Sequence, residues 1–276
     1  MRLFIASIII SLCLLGACSD SIEDQINVQL PLTEQKLAEL KQALSDGEVE
    51  NAVLIQQYAN KLLTLNPKLE QPVAVLIRNA GSEGQLYKRL YERLQTVSFQ
   101  SDLFVSEELR YQELLNIYQA ADPILFSDAL SDPLNVLADL SQGQLQRVNA
   151  ETKSLTLQKN QAEDFGAAAL LIAHPAFGTW QTNSENEVTW QWFNRTKPLS
   201  TLLKRSSVDY EEWAKYRDYS FYADIGRSRY SSVFTLARQT EIEEELSSPG
   251  AFALQRFGDS DLSAPGLVLK SGYHQF

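Results

Sequence analysis

The chain is poor in the residues that most often carry chemistry. Its 276 residues include two cysteines, two histidines and one methionine. Both cysteines, Cys13 and Cys18, fall in the first eighteen positions. Nothing beyond Cys18 can form a disulfide or a thiolate metal site, so stability must come from buried apolar surface. Of the histidines, His174 lies in the apolar stretch LLIAHPAF and His274 close to the end. His174 is expected to be a satisfied structural residue. No Gly-x-Ser-x-Gly elbow, His-Glu-x-x-His pair or phosphate loop occurs. No metal, no cofactor and no catalytic set is therefore expected. Long apolar runs are also missing. Leu3–Leu15 is 13 residues without a charge, and the longest later run is Gly166–Ala173. A helix needs about 20 apolar residues to cross a hydrocarbon core, so no membrane-spanning segment is expected.

What the first twenty residues do contain is an address. Arg2 precedes the uncharged run, which ends in Leu15-Gly16-Ala17 before Cys18. That order fits a secretory signal, with small residues at the cleavage point. The four residues Leu15 to Cys18 resemble the lipobox of bacterial lipoproteins. The resemblance implies that residues 1–17 are removed as a signal peptide, that Cys18 is thioether-linked to diacylglycerol, and that its new amino group is acylated. A thiolate is the nucleophile such alkylation requires. One acyl chain holds a protein only marginally, whereas three hold it almost permanently. Ser19, rather than aspartate, follows the cysteine, which in this family points to the outer rather than the inner membrane. The plain alternative is an ordinary cleaved signal in which Cys18 is incidental.

The net charge of −11 is unevenly spread. Residues 19–165 carry 22 acidic and 12 basic side chains, residues 195–238 carry 5 and 9, and residues 241–276 carry 6 and 2. The acidic bulk argues against nucleic acid as a partner, which needs a dominant positive footprint. The basic stretch is either a solvated face or a contact for phosphate groups or an acidic protein.

Residues 18–32 show no clear period and read as a tether. Helical spacing then begins, with Thr33 as the expected cap and Leu37, Leu40 and Leu44 on one face before Asp46-Gly47. Further helices are predicted over Glu48–Leu65, around Leu86, Leu90 and Leu94, after Ser106, and in one or two pieces over Pro123–Leu140. Short turns between them predict antiparallel neighbours. The repeating positions of a tetratricopeptide array are absent. Residues 33–140 thus read as a helical domain, and residues 141–165 as a polar linker or solvated helix.

From residue 166 the composition changes. All four tryptophans and 13 aromatic side chains fall within residues 177–234. Gly178–Thr182 and Val188–Phe193 are predicted as two strands of a hairpin, with Trp180 opposite the face that carries Trp190 and Trp192. A helix is expected after Asp209, with Tyr210, Trp213 and Tyr216 at intervals of three. Arg227 and Arg229 follow Gly226 in a glycine-containing turn. Two readings stay open for this segment, residues 166–240. The aromatic side chains are core filler, or Trp180, Trp190, Trp192, Trp213, Tyr216, Arg227 and Arg229 form a contact surface for an envelope protein or a glycan. Residues 241–276 read as a poorly ordered acidic tail.

The sequence therefore predicts a mainly α protein, a bundle of antiparallel helices followed by a small aromatic-rich α+β segment with a tryptophan hairpin. Its expected role is that of a membrane-anchored scaffold or interaction protein, with a glycan-binding module or glycan-active enzyme as the alternative.

Overall fold

In the computed structural model, residues 21–246 are described. Cys18, with Leu15, Gly16 and Ala17, lies outside them, as does the expected tail beyond residue 246.

The first helix, α1 (Ile22–Asp46), corrects the expected tether. Residues 22–32 are helical, and Thr33 lies inside the helix rather than at its start. The reason is local. The Ser21 hydroxyl accepts from the Asp24 backbone N–H while the Asp24 carboxylate accepts from Ser21, a capping box that closes both orphan donors. Ile26, Thr33, Leu37 and Leu40 are then buried on one face. Their packing outweighs the hydrogen bond lost at Pro31, which sits within the helix. Gly47, at φ 75°, ends α1 in the left-handed region.

Helix α2 (Glu50–Leu65) starts at a residue, Val49, that cannot cap it. Ser127, from far along the chain, takes that place: its hydroxyl accepts from Asn51 N–H at 3.0 Å. Helix α3 (Glu70–Asn79) turns tightly into α4 (Gln85–Phe99). The turn needs Gly84, since a Cβ there would lie 2.4 Å from the Arg78 carbonyl oxygen. Helix α5 (Glu107–Ala120) is capped by Ser106, as its sequence predicts, and carries Glu107 and Glu108 in its first turn.

The stretch after Asp122 forms two helices, α6 (Pro123–Ala129) and α7 (Ser131–Leu140). Ser131 through Ala138 of α7 are all buried, which makes it the central helix. It packs on α2 and on the 3-10 turn Ala167–Leu171. The polar stretch that follows contains a short helix, α8 (Lys153–Asn160), rather than one long solvated helix.

Strands β1 (Gly178–Thr182) and β2 (Val188–Trp192) form the antiparallel hairpin, with Trp180 paired to Trp190 and Thr182 to Val188. Helix α9 (Tyr210–Tyr216) is capped by Asp209. A π-turn (Tyr222–Gly226) leads into α10 (Arg227–Tyr230), and α11 (Val233–Leu246) continues as helix into the expected acidic tail.

A two-stranded hairpin is marginal in water by itself. Here it shares one core with the helices, because buried apolar side chains from Ile26 to Ile242 form a single connected cluster. Polar clamps tie the same halves together. Asp132 of α7 accepts from the Phe221 and Tyr222 backbone N–H groups at 2.8 and 2.9 Å. Arg93 of α4 makes a two-pronged pair with Glu113 of α5 at 2.7 and 3.2 Å. Arg93 also donates to the Arg229 carbonyl, and Glu113 accepts from Val233 N–H, which fixes α10 and α11 to the bundle. Among the described residues, no helix is long and apolar enough to cross a membrane.

Candidate functional site

The hairpin places its tryptophans inward. Trp180, Trp190 and Trp213 are 7%, 5% and 3% exposed, too little to offer a ring face to a ligand. Trp180 is the hub: its ring lies 5.2 Å from Trp190, 5.0 Å from Tyr210 and 5.4 Å from Trp213. These are the edge-on and tilted arrangements that aromatic quadrupoles favour. The Trp190 ring lies against Gly178, where a Cβ would come within 2.5 Å of it. Trp192 is only half-buried and meets Trp190 edge-on at 5.8 Å.

The other residues expected on a contact surface also have inward partners. Tyr216 is half-buried, its carbonyl accepts from Glu163 N–H, and Lys215 lies 5.0 Å from its ring centroid. Arg227 donates to Gln239 at 2.8 Å and pairs with Glu243 at 2.6 Å. Arg229 presents its carbonyl to Arg93. The seven residues therefore do not form one exposed patch. Most of them are packing, and five of the nine basic side chains in residues 195–238 are ion-paired: Lys204, Arg205, Arg217, Arg227 and Arg238.

What lies beside the hairpin is a cleft of about 370 Å³. Its walls include Arg89 of α4, Pro175 and Trp180, Trp190, Phe193, and Phe234 and Ile242 of α11. A second hollow of about 190 Å³ shares Arg89, Pro175, Phe234 and Thr235 with it and reaches the Arg93–Glu113 pair. The Arg89 guanidinium sits 5.3 Å from the Phe193 ring centroid and pairs with Glu92 at 3.4 Å. Arg238 at the other wall pairs with Glu241 at 3.1 Å. The cleft thus offers apolar ring edges flanked by two guanidiniums. That suits a ligand with a flat apolar face and a polar or anionic rim.

The nearby His174 is not set for proton transfer. His174 lies beneath the cleft, 4% exposed and 4.2 Å from the Tyr222 ring. Burial, with the Arg89 charge adding to it, pushes the imidazole down to about 3. Its Nδ1 accepts from Ala176 N–H at 3.0 Å, which puts the proton on Nε2, and Nε2 makes no hydrogen bond. The histidine is therefore structural, though only half satisfied. The indole N–H groups of Trp190 and Trp213 are likewise buried without a partner. Among the described residues, no group of histidine, cysteine or carboxylate side chains could hold a metal ion.

Asp132 is the other perturbed group. Burial pushes its carboxyl up to about 7, although two backbone N–H groups and the Arg147 charge oppose the shift. It belongs to a buried network in which Arg147 grips Asp139 at 2.7 Å and approaches Asp218 at 3.6 Å, while Arg217 pairs with Asp224. This network lies under the polar segment around α8 and the π-turn, apart from the cleft.

Sequence reasoning missed Arg89, Phe193 and Phe234 as cleft walls. It also missed the Arg93–Glu113 pair, which did leave a signal. Arg93 occupies the same helical face as Leu86, Leu90 and Val97, where a charge demands a buried counter-ion. Compared with protein-family models, curated proteins and solved structures, the chain matches none of them.

Proposed function

We propose that the protein is a lipid-anchored component of the bacterial cell envelope, held by acyl chains on Cys18, that acts through contacts rather than catalysis. The observation that carries this reading is the junction between signal and fold. The lipobox-like Leu15-Gly16-Ala17-Cys18 is followed at once by Ser21, whose capping box starts a 25-residue helix. An anchor at Cys18 would thus hold a rigid helical body close to the bilayer, with no long tether between. Ser19 favours the outer membrane. The partners that suit such a body are the membrane itself and an envelope protein.

Cell fractionation tests the reading. The native protein is expected in the outer-membrane fraction, and a variant in which residues 1–18 are replaced by an ordinary cleavable secretory signal is expected in the soluble periplasm. A variant of that kind that still fractionates with the outer membrane would defeat the anchor.

A second reading, glycan binding, is favoured by the cleft beside Arg89 and Phe193 rather than by exposed tryptophan faces. Equilibrium dialysis of the soluble body against peptidoglycan fragments tests it. Binding that survives Arg89→Ala and Phe193→Ala together would place any glycan contact elsewhere.

A further inference from the structure

One end of the bundle exposes large apolar side chains. Phe99, the last residue of α4, is 77% exposed, and in the connection to α5 Leu103 is 50% and Val105 92% exposed. Leu109, in the first turn of α5, is 42% exposed, and Val28 of α1 is 64% exposed. Phe99, Leu103, Val105 and Leu109 thus expose four large apolar side chains within eleven residues of chain, a concentration that marks a contact with something other than water.

Its position follows from the packing. Helices α4 and α5 run antiparallel, because Arg93 meets Glu113 at 2.7 Å and Arg110 donates to the Val97 carbonyl at 3.0 Å. The far ends of both lie beside the middle of α1. Tyr87 donates to the Leu37 carbonyl at 3.2 Å, and Lys36 pairs with Asp122 at 3.1 Å. From there α5 runs toward the start of α1. Ile26 is only 1% exposed, and the elements packed closely on α1 are α5, α4 and α6. Helix α6 follows Asp122 toward α2, where Ser127 meets Asn51. The cover over Ile26 is thus the first half of α5 with the end of α4. The 14 residues of α5 match the 14 steps from Lys36 back to Ile22. The Gln100–Ser106 connection therefore sits beside the first turn of α1.

Cys18 is three residues from Ser21. Three residues of chain reach at most about 11 Å. A lipid on Cys18 would therefore be attached within that reach of the end of the molecule that carries the apolar projection.

We infer that Phe99, Leu103 and Val105 insert into the interfacial layer of the leaflet that holds the acyl chains of Cys18, giving the body a second membrane contact and a fixed tilt. The inference rests on the anchored reading. Two contacts on a bilayer restrain rotation where one does not, and a lipid anchor gains persistence from a second signal. Charge defines the surface that fits. Glu23, Asp24, Asp102, Glu107 and Glu108 lie in the same elements, and there Arg110 is already paired with Glu107 at 3.1 Å. An acidic rim suits a zwitterionic surface entered by apolar side chains, not an anionic one gripped by cations.

The test uses the mature acylated protein in phosphatidylcholine vesicles. Val105→Cys carries an environment-sensitive fluorophore, since Cys18 is blocked by lipid. Glu83→Cys, at the opposite end of α4, is the reference. Insertion predicts a blue-shifted emission at position 105 and severalfold quenching by doxyl-labelled lipid, with neither change at position 83. If the protein floats with the vesicles but position 105 responds no more than position 83, the insertion is wrong and the anchor stands. If quenching is absent but emission shifts with protein concentration, the projection binds a second copy instead. If the protein does not float with the vesicles at all, the anchor fails and the insertion falls with it.

Discussion

Trp180 and Trp190 face each other directly across the hairpin, their ring centroids 5.2 Å apart and their planes at 66°. The pair joins a strand to a helix as well as a strand to a strand, because Trp180 also touches Tyr210 and Trp213 of α9. It is one means by which a hairpin of five-residue strands is held to helix α9.

Trp190→Ala removes a buried ring that packs on the hub of this cluster, Trp180. Large-to-small changes of buried aromatic residues cost about 3–5 kcal/mol. Chemical denaturation followed by circular dichroism is expected to show a loss in that range. Trp192→Ala, at a half-buried position, is expected to cost only about 1 kcal/mol. Equal effects from the two substitutions would contradict the inward packing of Trp190.

The Arg93–Glu113 pair is expected to behave as a buried ion pair. Glu113→Gln leaves the guanidinium without its charge partner, and breaking such a pair costs about 3–5 kcal/mol. Because Arg93 and Glu113 also hold Arg229 and Val233, the loss should appear first in α10 and α11. Hydrogen exchange is the check: amides of α11 are expected to lose protection before those of α7. Uniform loss across the fold would separate the pair from the docking of α11.

Two buried groups give opposite pH slopes. His174 is held at about 3, below its ordinary 6.5. Its contribution to stability is complete above pH 6.5 and is lost as pH falls from there toward 3. Asp132 is raised from 3.8 to about 7. The folded state then binds the extra proton, so its ionisation lowers stability as pH rises through that interval. Between about pH 4 and 6.5 the two slopes oppose each other. Asp132→Asn is expected to leave a melting temperature that falls on acidification across this window. His174→Gln, which keeps an acceptor for Ala176 N–H, is expected to leave one that falls as pH rises. Thermal melts at several pH values decide it, and identical slopes in both variants would contradict the assignment.

The hairpin and most helices were legible because each rests on local rules. Alternation marks β2, Asp209 and Ser106 are strong caps, and Gly47 is a strong stop. The start of α1 was not legible, since Pro31 and the polar residues before it conceal a helix whose buried face is filled by α5. The cleft was hidden for a similar reason: Arg89, Phe193 and Phe234 are far apart in the chain and meet only through tertiary packing. The tryptophans were visible from the start, but composition cannot distinguish a shared core from a surface. That distinction came from the burial of Trp180, Trp190 and Trp213.

The most direct test of the account is the intact mass of the mature protein purified from its native envelope. The account predicts a chain beginning at Cys18 whose mass exceeds the polypeptide by a diacylglycerol and a further acyl group. A chain that keeps residues 1–17, or one that begins elsewhere with Cys18 unmodified, would contradict it.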